Sequence, residues 1–108
     1  MWRVCEFGEA TGSEGGTIIR DEEHVHGARI TLESATPSAP FTITCGIYGW
    51  MVHTRFFGNE FEAAADYEAM KQGLEDILAV IPAESEASSR DGTGTVVAAI
   101  NFFLQRFP

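Results

Sequence analysis

Residues 41–58 read FTITCGIYGWMVHTRFFG, and this stretch decides the fold of the chain. Phe41, Ile43 and Cys45 alternate with threonine and glycine, which is the two-residue period of a β-strand with one face in water. A second alternating run follows Gly49, whose conformational freedom suits a tight turn. β-Branched and aromatic side chains fit a pleated, half-buried surface. The stretch therefore predicts a β-hairpin.

The second strand of the hairpin has two faces, which the alternation separates. One face is expected to pack against the core: Trp50, Val52, Thr54 and Phe56. The other face is expected to lie in water: Met51, His53, Arg55 and Phe57. An antiparallel sheet can leave such a face exposed to solvent.

The chain before the hairpin predicts further strands. Residues 17–20 and 24–34 form two of them, separated by an acidic turn at 21–23, and residues 2–7 form a short one. Within 24–34, Ile30 and Leu32 share the core face, while Arg29, Thr31 and Glu33 share the open face. Loops are predicted at the glycine-rich residues 8–16 and the proline-containing residues 35–40.

Two helices are predicted after the hairpin. Asn59 is placed to cap the first helix, and Pro82 to end it. Its apolar stripe recurs at steps of three and four residues: Tyr67, Met70, Leu74, Ile77, Leu78 and Ile81. After a polar loop at 83–94, a second helix over 95–107 presents a similar stripe: Val96, Ile100, Phe103, Leu104 and Phe107.

This order of elements predicts an α+β fold. Strands come first and helices second, without alternation, which is typical of an antiparallel meander of three to five strands with both helices on one face. The 108 residues predict a single domain, spanning 1–108.

Composition excludes several classes of protein. The net charge of −9 argues against binding to nucleic acid or to anionic lipid, since both need a basic surface. No apolar run approaches the ~20 residues of a membrane span, and the first residues lack the apolar run of a signal peptide, so we expect a cytoplasmic protein. Cys5 and Cys45 are expected to be reduced thiols there, although spacing alone leaves a disulfide open.

The acidic face of the first helix is the largest candidate site. Residues 60–91 hold nine acids and two bases, so −7 of the net −9 lies in one segment. The candidate partner-binding residues are Glu62, Asp66, Glu68, Glu75 and Asp76. Dense acid on a small domain steers association with a basic protein, as in an inhibitor or neutralising module. The alternative interpretation is a surface that only keeps the protein soluble.

Two further hypotheses remain open. An enzyme that binds a small ligand or a metal would use the open sheet face at Arg29, His53 and Arg55, with His24 and His26 sharing a strand face nearby. A structural homodimer is the other. We expect no cofactor and no tightly bound metal, because the histidines lack a convincing further ligand, and no catalytic residue is assigned. The sequence favours a non-catalytic binding protein.

Overall fold

Five antiparallel strands and two helices make up the fold, in a computed structural model that describes residues 1–5, 11–82 and 90–108. The strands form one sheet in sequence order: β1 (Trp2–Val4), β2 (Thr17–His24), β3 (Ala28–Ser34), β4 (Phe41–Ile47) and β5 (Met51–Phe57). The helices α1 (Glu60–Leu78) and α2 (Arg90–Arg106) pack on one face of that sheet. The predicted α+β fold, with its antiparallel meander and two C-terminal helices, is confirmed.

Three predicted boundaries are wrong, and one of them is the end of the first helix, which lies at Leu78 instead of at Pro82. The acidic residues 21–23 belong to β2, and the chain turns at 25–27, where Gly27 has a φ of 102°. The second helix begins at Arg90 instead of Thr95. Residues 8–10 and 83–89 of the predicted loops lie outside the described residues, as do residues 6 and 7 of the predicted first strand.

The hydrophobic core lies between the sheet and the helices. In β3 and β4 the alternation is confirmed, with this set buried: Ala28, Ile30, Leu32, Ile43, Cys45 and Ile47. The predicted helical stripes are largely confirmed, with this set buried: Tyr67, Met70, Leu74, Ile77, Val96, Ile100, Phe103 and Phe107. Asn59 caps α1 as predicted, because its side-chain oxygen accepts the backbone N–H of Glu62 at 2.8 Å.

The faces of β5 are the reverse of the prediction. Cys45 lies opposite His53 and Phe41 lies opposite Phe57, so the odd-numbered residues of β5 face the helices. Phe57 is 8% exposed, whereas Phe56 is 56% exposed. The reason is the turn, since Ile47 pairs with Met51 and leaves Trp50, half-buried, in the connection. A shift of one residue in the alternation moves every side chain to the other face.

Glu22 is a buried carboxylate beneath α1. Its oxygens accept hydrogen bonds from the Tyr67 hydroxyl at 2.8 Å and the Lys71 ammonium at 2.9 Å, and Arg20 lies 3.2 Å away. Burial acts to raise the pKa of Glu22, but the hydrogen bonds from Lys71 and Tyr67 outweigh it, so the pKa lies below its ordinary value of 4.5. The ionised form of Glu22 therefore joins the sheet to α1.

Adjacent phenylalanines test the faces of β5. Phe57→Ala should lower the free energy of unfolding by about 3–5 kcal/mol, because it leaves a cavity in the core. Phe56→Ala, on the exposed face, should change it by less than about 1 kcal/mol. Denaturant unfolding of both variants measures the difference. Equal losses in the two variants would contradict this assignment of the faces.

Acid unfolding tests the role of Glu22. A carboxyl group whose pKa is lowered by folding stabilises the folded state above its unfolded pKa, and this contribution is lost as the pH falls through the folded pKa. Glu22→Gln should therefore be less stable than the wild type at about pH 7, and the gap should narrow below about pH 4.5. Urea unfolding at a series of pH values measures this gap.

Glu23→Gln is the matched control for that series. It removes the same charge from the neighbouring, half-exposed residue, whose partner Arg3 lies 3.4 Å away on the surface. Exposed ion pairs contribute little, so the control should follow the wild-type curve closely. A gap between Glu22→Gln and the wild type that stays constant with pH would exclude the proposed role of the ionised carboxylate.

Candidate functional site

The sheet face opposite the helices carries side chains in transverse rows, because residues directly opposite in antiparallel strands share a face. We call this surface the open face. Its central row runs across four strands and contains Asp21, Thr31, Thr44 and Thr54. The next row, towards the turns, contains Glu23, Arg29, Gly46 and Val52. Gly46 has no side chain, and a Cβ atom at this position would lie 2.9 Å from the Met51 carbonyl oxygen.

A loop formed by residues 11–16 covers one end of the open face. It is held by the buried carboxylate of Glu33, which accepts the backbone N–H of Gly16 at 3.0 Å and of Glu14 at 3.3 Å. A Cβ atom at Gly12 would collide with that carboxylate, so the loop approaches the sheet closely only because a glycine is present there. The loop therefore forms a wall above the sheet.

The turn at residues 48–50 forms the opposite wall. Gly49 has a φ of 82°, which glycine adopts readily, and the N–H of Trp50 donates to the carbonyl of Ile47 at 2.9 Å. The N–H of Tyr48 donates to the carbonyl of Gly27 at 2.9 Å, which ties this turn to the turn between β2 and β3. The Tyr48 side chain is 66% exposed.

Between these walls lies a cleft of about 770 Å³. Its lining combines apolar side chains with the polar floor, and includes Ser13, Ile18, Arg29, Thr44, Tyr48 and Trp50. Small-molecule sites commonly have volumes of ~300–1,000 Å³, with mostly apolar walls and a few fixed polar groups. The cleft has the size and the composition of a binding site.

A three-residue cluster orders the floor of the cleft. Asp21 is buried, and its carboxylate accepts hydrogen bonds from Arg29 Nε at 3.0 Å, Arg29 Nη2 at 2.6 Å and the Thr31 hydroxyl at 3.0 Å. The hydrogen bond to Asp21 is the largest cause that raises the pKa of Arg29, so the guanidinium stays charged. The Arg29 side chain is half-exposed. The cluster therefore holds a guanidinium in one orientation at the cleft.

The Thr44 hydroxyl is buried in the floor without a hydrogen-bond partner among the described residues. Leaving a buried hydroxyl unpaired costs about 1–3 kcal/mol. The polar groups of the floor therefore have fewer hydrogen-bond partners at Thr44 than at Asp21.

The predicted acidic face of α1 is partly neutralised by the sheet. Asp66 forms an ion pair with Arg55 at 2.7 Å, and Glu68 forms one with Arg20 at 2.8 Å. Glu62 and Asp76 are exposed to solvent. Glu75 is half-exposed in a second hollow, which it shares with the two histidines His24 and His26.

The three residues predicted to bind a small ligand or metal on the open sheet face do not lie together. Arg29 lies in the cleft, but His53 and Arg55 face the helices, because the faces of β5 are reversed. His53 Nε2 donates to the backbone carbonyl of Phe107, and Arg55 Nε donates to the carbonyl of Pro108 at 3.2 Å. Both side chains therefore hold the end of the chain against the sheet instead of lining the open face.

The other candidate groups have structural partners. His24 Nδ1 accepts the backbone N–H of His26 at 3.1 Å, and the two imidazole rings are 5.4 Å apart. Burial is the main cause that lowers the pKa of His24. In the described part of the chain, no three histidine, cysteine, aspartate or glutamate side chains are grouped to hold a metal.

The two cysteines are free thiols, and they lie on different faces of the sheet. Cys45 faces the helices and is buried, as the sequence predicted, and burial raises the pKa of its thiol to about 12. Cys5 follows β1 on the open side, where its N–H donates to the carbonyl of Asp21 at 2.8 Å.

Sequence reasoning missed part of the cleft. Arg29 and Thr31 were assigned to the open face, but Asp21 was assigned to a turn, and Tyr48 was given no binding role. Trp50 was expected in the core, whereas it is half-buried and lines the cleft. An exposed Tyr-Gly-Trp sequence at a hairpin turn was the available signal, since aromatic residues are enriched in binding surfaces.

Comparisons with protein-family models, with curated proteins and with solved structures each find no match. Across the described residues, neither helix has the length and apolar character needed to cross a lipid bilayer.

Proposed function

We propose that this protein is a non-catalytic binding module whose recognition site is the cleft on the open face. One observation carries the proposal: Tyr48, Trp50 and Arg29 converge on a single cleft. Tyrosine, tryptophan and arginine are the residue types that dominate the binding energy of protein interfaces. The Tyr48 and Trp50 rings have few rotatable bonds, and Asp21 holds the Arg29 guanidinium in one orientation. Binding would therefore order few side chains and cost little conformational entropy.

The chemistry of the floor supports binding over catalysis. A general base needs an acceptor that is free to take a proton from a substrate. The Asp21 carboxylate already accepts three hydrogen bonds, and the Cys45 thiol is buried on the helix side of the sheet, away from the cleft. Asp21 orients the Arg29 guanidinium, and this arrangement supports the binding of a ligand.

The proposed ligand is a short segment of a partner protein. The cleft is open along the sheet and is too large for one side chain, so it accommodates an extended segment that places an apolar side chain beside Tyr48 and Trp50. Arg29 would pair with a carbonyl or carboxylate oxygen of that segment. A small molecule of similar size is the competing ligand, and the experiment separates the two.

Two exposed aromatic residues provide the test. Tyr48→Ala removes a cleft wall, whereas Phe61→Ala removes an aromatic side chain that is 85% exposed on α1, away from the cleft. Proteins captured from native cell extract would be identified by mass spectrometry, and a captured protein would then be titrated in purified form. We expect Tyr48→Ala to weaken its binding at least about tenfold and Phe61→Ala to leave it unchanged.

The other outcomes have defined meanings. Equal binding by Tyr48→Ala and the wild type would contradict the proposal. If a metabolite extract, and no protein, shifts the NMR signals of Tyr48 and Trp50, the cleft takes a small molecule and the partner-protein proposal is wrong.

A second candidate function is docking of a basic protein on the acidic face of α1. Glu62 and Asp76 are exposed, and no ion pair with either is found among the described residues. Exposed charges of one sign accelerate association with a partner of opposite sign. This function needs no pocket and is compatible with a ligand in the cleft.

Charge removal tests the second candidate. Replacing Glu62 and Asp76 by glutamine and asparagine should slow association with a basic partner at low salt, and the rates should converge with those of the wild type at high salt. Replacing Glu14 and Glu23 by glutamine removes the same charge from the sheet side and is the matched control. Stopped-flow association rates that are equal for both variants at every salt concentration would exclude steering by α1.

We also propose the cytoplasm as the site of action. The two free thiols, which lie on different faces of the sheet, support this location, because thiols persist in reducing compartments.

A further inference from the structure

We propose that two copies of the chain associate through β5, which pairs antiparallel with the β5 of the second copy around a two-fold axis at Thr54. This pairing joins the two sheets into one sheet of ten strands. The proposal concerns the edge of the sheet, which meets the cleft at Val52, and it does not depend on what the cleft binds.

β5 is the long edge of the sheet. It ends the strand order and pairs only with β4 within the described part of the chain. Among the described residues, no backbone hydrogen bond of a turn, loop or helix cap uses an N–H or carbonyl group of residues 51–57. The opposite edge, β1, is only three residues long. The outer side of β5 is therefore a row of backbone donors and acceptors available to another strand.

The composition of β5 lacks the usual protection of an edge. Proteins commonly block edge strands with lysine, proline or an inward-pointing charge. The sequence MVHTRFF contains neither lysine nor proline. Its single charged side chain, Arg55, does point inward, to the helix side, but Asp66 neutralises its charge there. The exposed side of the strand carries Val52, Thr54 and Phe56, with no charge among them.

The exposed side chains are arranged symmetrically around Thr54. In an antiparallel pair centred on that residue, Val52 lies directly opposite the second copy's Phe56, and both are on the same face. Val52 is 80% exposed in the single chain, and Phe56 is more than half exposed. A β-branched and an aromatic side chain form a favourable cross-strand pair. Because of the two-fold axis, the Val52–Phe56 pair occurs twice. This repetition favours the β5 of a second copy, over an unrelated strand, as the partner of β5.

The charge of the protein also points to this surface. Two molecules of net charge −9 repel each other, and residues 51–57 contain no acid. Association through β5 should therefore become stronger as salt screens the repulsion between the two copies. Docking of a basic protein on α1 would respond in the opposite direction.

Sedimentation velocity over a range of concentrations provides the first test. The wild type should dimerise, with a dissociation constant that decreases at higher salt. Val52→Glu should raise that constant at least about tenfold, because it replaces both apolar cross-strand pairs. Val25→Glu is the matched control, since Val25 is 74% exposed in the turn between β2 and β3. A wild type that stays monomeric, or equal effects of the two variants, would overturn the proposal.

Crosslinking tests the register. In a Cys5→Ser background, Thr54→Cys should form a covalent dimer on mild oxidation, because opposite residues have Cα atoms about 4.5–5.5 Å apart, within the range of a disulfide. Val52→Cys alone should not, since its two copies would lie about 14 Å apart along the strands. Mixing Val52→Cys with Phe56→Cys should restore crosslinking. Efficient dimers from Val52→Cys alone, or none from Thr54→Cys, would reject this register.

Discussion

Two adjacent carboxylates in β2, buried on opposite faces of the sheet, are the constraint on which the rest of the structure depends. An unpaired charge in a protein interior is too costly to persist, so each carboxylate needs its own partners. On the helix side, Glu22 accepts hydrogen bonds from Tyr67 and Lys71, and this fixes α1 over the sheet. On the other side, Asp21 accepts them from Arg29 and Thr31, and this forms the floor of the cleft.

The same pairing logic shapes the surface of the protein. Ion pairs among the described residues use five of the seven basic side chains, namely Arg3, Arg20, Arg29, Arg55 and Lys71. Two of them neutralise Asp66 and Glu68, which would otherwise extend the acidic face of α1. The acidic surface is therefore smaller than the composition implies, whereas Arg29 keeps an exposed edge at the cleft. This difference in available charge supports the proposed binding site on the open face.

The open face and the edge of the sheet have complementary properties. The cleft has walls, a polar floor and a fixed guanidinium, which are the features of specific recognition. The edge at β5 offers a backbone ladder and two apolar side chains, which are the features of strand pairing. Pairing at β5 would place two clefts on one face of a continuous sheet. A partner with two matching segments would then bind more tightly than a partner with one. Once its first segment is bound, the second segment is held at a high effective concentration near the second cleft.

The sequence by itself determined the class of fold, the helical stripes and the core faces of β3 and β4. These features follow from local periodicity, in which each apolar residue predicts its own neighbours on a helix or strand. Ile30, Leu32 and Ile43 were assigned correctly for this reason, and so was the helix cap at Asn59. The open-face positions of Arg29 and Thr31 were also predictable, which located part of the cleft floor.

Only the tertiary structure decided the faces of β5 and the position of the acidic run in β2. Both faces of β5 carry apolar side chains, so its alternation was ambiguous until the turn after Ile47 set the register. Residues 21–23 were predicted as a turn because their charges suit water, but Arg29 on β3 and Lys71 on α1 compensate two of those charges in the folded chain. The local sequence pattern shows whether a residue prefers water or the core. Whether a charged residue can be buried depends on its ion-pair partners, which only folding brings close.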